Sequence, residues 1–349
     1  MKYRSWAVIA LLVAVSLAVI SHEFFVSTTL TFLATAAALI LISKFLGDAT
    51  EALSHYMGDK TAGIINVTLS NLAELIIIYV AVSKNMINLV QAGIVGSIVG
   101  NLLLVMGTSI LFGAWKNGEV KLHAGSVTLY INQLMVVAII LFMPTMFNDG
   151  ISKVAHVDMS YIFAGILVST YFIYYLLSRK DKRVKPIDEG LAEVGPTWSK
   201  SKAVTILVLM AIGAFFMSEY LIETVEPIAH QWSLSDAFIG FILLPMFGNL
   251  AEHSVAVTAA YKNKGELSMA VCVGSASQVG MVVAPAAVIF GLFTGNTVTL
   301  DFVGLPLHVL AIAVISTFLV LRDNKWNLAE GIALLVIYLA MTIGFAFTI

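Results

Sequence analysis

The chain has little of what soluble and disulfide-stabilised proteins depend on. It contains one cysteine, and only 11% of its residues are charged. The single cysteine, Cys272, excludes an internal disulfide and a cysteine-based metal site. The formal net charge of −2 gives no reason to expect nucleic acid as a partner. No EF-hand loop occurs, and no resident cofactor is predicted.

Hydrophobic residues make up 59% of the sequence, and the mean hydropathy is +0.95. Apolar runs of about 20 residues, the length that crosses a bilayer, recur from end to end. The first run lacks the cleavage pattern of a signal peptide, so we expect it to be retained. We predict an all-α polytopic protein of the lipid bilayer with eleven transmembrane helices, at about 6–21, 24–46, 61–83, 88–114, 124–147, 159–178, 202–223, 237–261, 267–293, 302–321 and 327–348.

The basic residues predict the orientation in the membrane. If the predicted spans alternate, one side of the membrane holds all but two, Lys84 and Lys153, of the 19 Lys and Arg residues. Because short cytoplasmic loops are enriched in Lys and Arg, we expect the N-terminus and the polar linker 179–200 to be cytoplasmic. The C-terminus is then expected outside.

A repeated tetrapeptide divides the chain into two halves. Asn71-Leu72-Ala73-Glu74 recurs 178 residues later as Asn249-Leu250-Ala251-Glu252, and Gly96-Ser97 recurs at the same offset as Gly274-Ser275. With the first span set aside, five spans precede the linker and five follow it, and an odd number places the repeats in opposite orientations. The predicted units are an additional helix 1–22, a first inverted repeat 23–178, the linker 179–200 and a second inverted repeat 201–349.

Two intramembrane carboxylates are the centre of the predicted site. Of the 21 acidic residues, only Glu74 and Glu252 fall well inside spans, and no Lys or Arg lies at midspan beside them. Such a pair is costly in a membrane unless it binds protons or a cation. Competition between a divalent cation and protons for the same oxygens is the chemistry of an antiporter.

The neighbouring polar residues provide oxygen atoms, which Ca²⁺ prefers in sets of about six to eight. Amides lie three residues before each glutamate, on the same helix face. The sequence lacks the cysteine and histidine cluster that Zn²⁺ favours. The predicted metal ligands beside the glutamates are Asn71, Asn249, Ser97, Ser275 and Gln278.

At these motifs the sequence resembles the cation/proton exchangers, the CAX family of the Ca²⁺/cation antiporter superfamily. Its two signatures are similar to Ser70-Asn71-x-x-Glu74 with Gly96-Ser97-x-x-Gly100-Asn101, and to Gly248-Asn249-x-x-Glu252-His253 with Gly274-Ser275-Ala276-Ser277-Gln278. The resemblance implies one additional helix plus two five-helix repeats, and export of Ca²⁺ in exchange for H⁺. It also implies that Glu74 and Glu252 are the central ion ligands. By analogy, the compact ends favour a prokaryotic plasma (inner) membrane.

The sequence departs from the family pattern at Ser70, where Gly is usual, and at Gly100, where Ser is frequent. These departures leave the choice between Ca²⁺ and Mn²⁺ open.

For four other polar residues the sequence allows two possible roles. Asn101 is either a ligand or an interhelical hydrogen-bonding group, and His253 is either a proton relay or a packing residue. Glu51 and Glu219 either gather cations at the two mouths or are ordinary interfacial acids.

Three other functions remain to be compared with Ca²⁺/H⁺ exchange. A Na⁺-coupled exchanger, or one that carries Mn²⁺, Na⁺ or K⁺, would keep the fold and change the ions. A channel is a second alternative. An intramembrane metalloprotease is disfavoured, because His22-Glu23 lacks the second histidine of the His-Glu-x-x-His motif. The sequence gives no oligomeric state.

Overall fold

A computed structural model describes residues 2–56, 69–147, 153–180, 198–302 and 305–347. These residues form helices and one pair of short strands, β1 (Val120–Lys121) and β2 (Lys325–Trp326). The helices are α1 (Lys2–Glu23), α2 (Thr28–Ser54), α3 (Leu72–Ser83), α4 (Ile87–Asn117), α5 (Ala124–Met146), α6 (Lys153–Lys180), α7 (Lys200–Trp232), α8 (Leu244–Tyr261), α9 (Gly265–Thr294), α10 (Leu305–Leu321) and α11 (Leu328–Phe347). Two short helical turns, Asp236–Phe238 and Ile239–Leu243, lead into α8.

Eight of the described helices are long and apolar enough to cross a membrane. A ninth span is formed if Ile239–Leu250 and Glu252–Tyr261, which meet at an angle of 71°, are taken together. The helix α3 and residues Pro306–Leu321 of α10 are apolar but shorter. A multi-pass, helical membrane protein is therefore confirmed. The number eleven stays a prediction, because the span 61–83 begins in residues outside the described ranges.

Several helices extend beyond the predicted spans. The span 202–223 lies within α7, which continues to Trp232 and ends where Ser233 has a left-handed φ of 54°. Likewise α6 begins at Lys153, before the predicted 159. Charged residues such as Lys and Glu end a hydrophobic run, but they are good helix formers. The helix therefore continues beyond the end of the hydrophobic run. Of the linker 179–200, residues 181–197 lie outside the described part of the chain.

One end of the helix bundle, which we call the Lys84 end, joins α1, α7 and the turn between α3 and α4. The Lys84 Nζ lies 3.0 Å from Glu223 Oε1, and His22 Nε2 lies 2.9 Å from Glu223 Oε2. The hydrogen bond with Glu223 raises the pKa of Lys84. The loop after α9 also belongs to this end, because Asn296 donates to the Val82 carbonyl at 2.8 Å.

The opposite end, which we call the strand end, gathers several loops that hold basic residues. The antiparallel pairing of Val120 with Trp326 joins the loops after α4 and before α11. Asn117 donates to the carbonyl of Ala260 at 3.3 Å, which adds the end of α8. The loops therefore sort to two ends as alternate membrane crossing predicts. Which end faces the cytoplasm stays a prediction.

The backbone repeats special features at the offset of the tetrapeptide. Asn85 ends α3 with a φ of 59°, and Asn263 ends α8 with a φ of 60°. Asparagine is one of the residues that tolerate this left-handed helix end. Both α4 and α9 also widen into π-helix at matching positions, Gly100–Val105 and Val279–Val283. These matched irregularities support a structural repeat.

The helices around the motifs pack closely through glycine. A Cβ atom built on Gly96 of α4 would lie 2.1 Å from the carbonyl oxygen of Phe241, in the turn Ile239–Leu243. Gly240 makes the reverse contact, since its Cβ would lie 2.7 Å from the Leu89 carbonyl oxygen. These glycines bring α4 against the segment that leads into α8.

We predict that Gly96→Ala destabilises the protein by at least about 1–3 kcal/mol, the usual cost of overpacking, because the methyl group meets backbone atoms that cannot turn aside. The measurement is thermal unfolding of the detergent-solubilised protein. Gly165→Ala is the matched control, because a Cβ at the exposed Gly165 of α6 meets nothing within 4 Å. Equal stability of the two variants would contradict the close packing.

Candidate cation site

The two predicted glutamates lie on helices that meet at a glycine. Glu74 is in the first turn of α3 and only 5% exposed, and Glu252 follows the 71° bend of α8. A Cβ built on Gly248 would lie 3.4 Å from the Glu74 Cβ, so α8 packs directly on the start of α3. The structure thus brings together the two segments that carry the glutamates.

Asn249 connects the second motif to the first. Its Nδ2 lies 3.3 Å from Glu74 Oε2 and 3.0 Å from Ser97 Oγ. An amide group carries two N–H donors, so it can serve both acceptors. Asn249 and Ser97 are each 1% exposed, which means that these bonds form away from solvent. The predicted residues of the two repeats therefore meet through direct side-chain contacts.

The other half of the site is arranged differently. Asn71 Nδ2 donates to Gln278 Oε1 at 3.2 Å, and Ser275 donates a short hydrogen bond to Glu252 Oε2. Asn71 Nδ2 also donates to Ser70 Oγ at 3.3 Å, a serine of its own motif, whereas Asn249 donates to Ser97 of the other motif. The region thus holds two carboxylates and several neutral oxygen groups in two unequal halves.

The donor chemistry suits a hard cation. Carboxylate, amide and hydroxyl oxygens are the ligands that Ca²⁺ and Mn²⁺ accept. Among the described residues, no group of three or more His, Cys, Asp and Glu side chains could hold a metal ion. Two carboxylates supply at most the charge needed to neutralise one divalent cation, and the remaining ligands would be neutral.

The sequence left two interpretations open for four residues: Asn101, His253, Glu51 and Glu219. The structure places them differently with respect to this region. Asn101 is buried in the π-helical part of α4, and neither polar atom of its side chain has a hydrogen-bond partner in the described part of the chain. His253 follows Glu252 and is partly buried. Glu51 is exposed near the end of α2, and Glu219 lies near Lys84. Neither Glu51 nor Glu219 belongs to the central cluster.

Sequence reasoning missed the contacts that shape the site. The π-helical turns follow Ser97 in α4 and Ser275 in α9, and π-helix is frequent at functional sites. The repeated glycines at Gly96 and Gly274 were the available signal for close packing. The contacts of His22 and Lys84 with Glu223 had no signal, because their partners are far apart in sequence.

Comparison with known proteins identifies the family. The model of the family described as sodium/calcium exchanger protein matches residues 6–180 and 202–347. The chain belongs to this family. A relative named Ca(2+)/H(+) antiporter from Aphanothece halophytica is 32% identical over 97% of this chain and 95% of its own length. The Ca(2+)/H(+) antiporter ChaA of Bacillus subtilis (strain 168) is 32% identical over 88% of this chain and 89% of its own.

A solved structure has a fold similar to that of this chain. The structure of native YfkE is 28% identical to this exchanger-family chain and has a TM-score of 0.85. The match covers 97% of this chain and 99% of that one. The resemblance to cation/proton exchangers drawn from the motifs is thereby confirmed. The family and its relatives are transporters by name, as expected for a protein that is not an enzyme.

We predict that Asn249→Ala lowers the free energy of unfolding by about 1–3 kcal/mol, because Glu74 and Ser97 each lose a buried hydrogen-bond donor. The measurement is thermal unfolding in detergent without divalent cations. Val336→Ala is the control, since Val336 of α11 is 59% exposed, and its effect should stay within about 0.5 kcal/mol. Equal stability of the Asn249→Ala variant and the wild type would contradict the bridging role.

Proposed function

We propose that this protein is a secondary active Ca²⁺/H⁺ antiporter that exports Ca²⁺ from the cytoplasm by alternating access. The observation that carries the proposal is the bridge from Asn249 to Glu74 and Ser97, which joins the two repeated motifs in one buried cluster. The names of the two bacterial relatives, both Ca(2+)/H(+) antiporters, support the choice of ions.

In this proposal Glu74 and Glu252 bind either Ca²⁺ or protons. Both charged carboxylates together are unstable in the membrane interior, because burial and mutual repulsion disfavour two unneutralised anions. One Ca²⁺ neutralises both charges, and so do two protons. A site that is stable only in these neutral forms exchanges one kind of ion for the other.

The amides and hydroxyls have a second role in the proposal. Asn71, Asn249, Ser97, Ser275 and Gln278 add neutral oxygens to the coordination shell of Ca²⁺. When the carboxylates are protonated, the same groups accept or donate hydrogen bonds, as Asn249 and Ser275 do to the glutamates. In this proposal the two carboxylates are therefore balanced both with and without the cation.

The finer architecture is also part of the proposal. Eleven transmembrane helices, an additional α1 and two inverted five-helix repeats agree with the sorting of loops to two ends. They also agree with the matched backbone features of the repeats. The protein is placed in the plasma (inner) membrane, with the strand end in the cytoplasm because the basic loops gather there.

The test is uptake of ⁴⁵Ca²⁺ into proteoliposomes with an acidic interior. We predict uptake by the wild type and a loss of at least about 100-fold in Glu74→Gln and in Glu252→Gln. An amide cannot exchange a proton for a cation, and it removes one of the two charges that bind Ca²⁺. Glu226→Gln is the control, because Glu226 is an exposed carboxylate of α7, and it should transport as the wild type does.

Two results would contradict the proposal. Uptake that survives either glutamate substitution would show that the two carboxylates do not form one shared site. Uptake that persists without a pH gradient but requires Na⁺ would show a Na⁺-coupled exchanger instead.

We predict that two repeat-equivalent residues, Lys84 and Lys262, lie on opposite sides of the membrane. Each is exposed at the end of its helix, and the only native cysteine, Cys272, is buried. A membrane-impermeant maleimide should therefore label Lys84→Cys in intact cells and Lys262→Cys only in inverted vesicles. Labelling of both from the same side would contradict the inverted arrangement.

A further inference from the structure

The two halves of the site differ at one pair of repeat-equivalent residues. At the offset of the tetrapeptide, Gln278 of α9 corresponds to Gly100 of α4. Each residue lies three positions after the serine of its motif, and so one turn further along the same helix face. Gln278 accepts a hydrogen bond from Asn71. At Gly100 the first repeat has no side chain that could do the same for Asn249.

Gly100 is not a close-packing glycine. Among the residues that the structure describes, a Cβ atom built there meets nothing within 4 Å, although Gly100 is buried. By contrast, Cβ atoms built on Gly96, Gly107 and Gly113 of the same helix would lie 2.1, 3.1 and 3.1 Å from their nearest neighbours. The absence of a side chain at Gly100 therefore leaves space inside the bundle, whereas the other three glycines allow helices to approach.

Polar atoms that lack partners accompany this space. Asn101 follows Gly100, and its Oδ1 and Nδ2 are both buried without a hydrogen-bond partner among the residues that the structure describes. The Oδ1 of Asn249 is also buried without a hydrogen-bond partner among these residues. The Nδ2 of the same side chain binds Ser97, which lies one turn before Gly100. Buried amides are rarely left without partners, and this concentration of them indicates a polar ligand.

We propose that the space at Gly100 holds a water molecule that completes the coordination shell of the bound cation and favours Ca²⁺ over Mn²⁺. This inference rests on the proposed transport of a divalent cation. One half of the site then offers the fixed amide oxygen of Gln278, and the other half offers an exchangeable water. A water needs about two to four polar partners, and the cation and the amides of Asn101 and Asn249 provide them.

The preference follows from coordination number. Ca²⁺ takes six to eight oxygens in flexible geometry, and water counts among them. Mn²⁺ is typically held in an octahedral set of six oxygens. In a shell of seven oxygens, loss of one leaves the six that Mn²⁺ takes, whereas Ca²⁺ loses a ligand that it uses. A methyl group at position 100 would exclude the water and add no oxygen, while a hydroxymethyl group would exclude it and replace its oxygen.

The experiment compares Gly100→Ala with Gly100→Ser. The relative affinity for the two ions is measured by Mn²⁺ competition against ⁴⁵Ca²⁺ binding to the purified protein, and then against ⁴⁵Ca²⁺ uptake into proteoliposomes. We expect Gly100→Ala to shift the preference about tenfold towards Mn²⁺, and Gly100→Ser to stay within about twofold of the wild type, because only serine restores the oxygen. Gly165→Ala, in which a Cβ also meets nothing within 4 Å, should leave the preference unchanged.

Three results would overturn the inference. A wild-type preference in Gly100→Ala would show that no ligand is lost there. An equal shift in the alanine and serine variants would show an effect of volume and not of oxygen. Aggregation of Gly100→Ala in detergent would contradict the open space itself. A wild-type protein that neither binds nor transports Ca²⁺ would instead contradict the proposed function, and this failure is seen without any variant.

Discussion

Two carboxylates buried in the interior of a membrane protein constrain the rest of this structure. Glu74 and Glu252 have no cationic partner in the described part of their surroundings, so neutral donors and an exchangeable cation or proton must balance them. Asn249 and Ser275 provide two of the neutral donors. The helices can bring these groups together only by close approach and local irregularity.

Glycine and π-helix supply this approach. Gly248 lets α8 lie on the start of α3, and Gly96 lets α4 lie on the turn before α8. The π-helical parts of α4 and α9 follow Ser97 and Ser275 within a few residues. The bonds of Asn249 to Glu74 and Ser97 join the two motifs, so the proposed alternating access must keep or exchange them.

The sequence predicted the helical membrane fold and the residues that meet in the cluster, because a carboxylate within a hydrophobic run is rare and a repeated one is rarer. It did not predict the geometry. The asymmetry between Asn71 and Asn249 arises from side-chain contacts between residues that are 152 to 207 positions apart in sequence. The contacts of Glu223 depend on tertiary structure, and the extension of α7 to Trp232 depends on helix propensity. The hydrophobic pattern of the sequence indicates neither.

The most direct test of a shared site for Ca²⁺ and protons is the release of protons when Ca²⁺ binds. It is measured with a pH indicator as Ca²⁺ is added to the purified protein in weak buffer. The account predicts that binding releases protons, and that Glu74→Gln and Glu252→Gln each reduce the number released. Ca²⁺ binding to the wild type without proton release at any pH would contradict it.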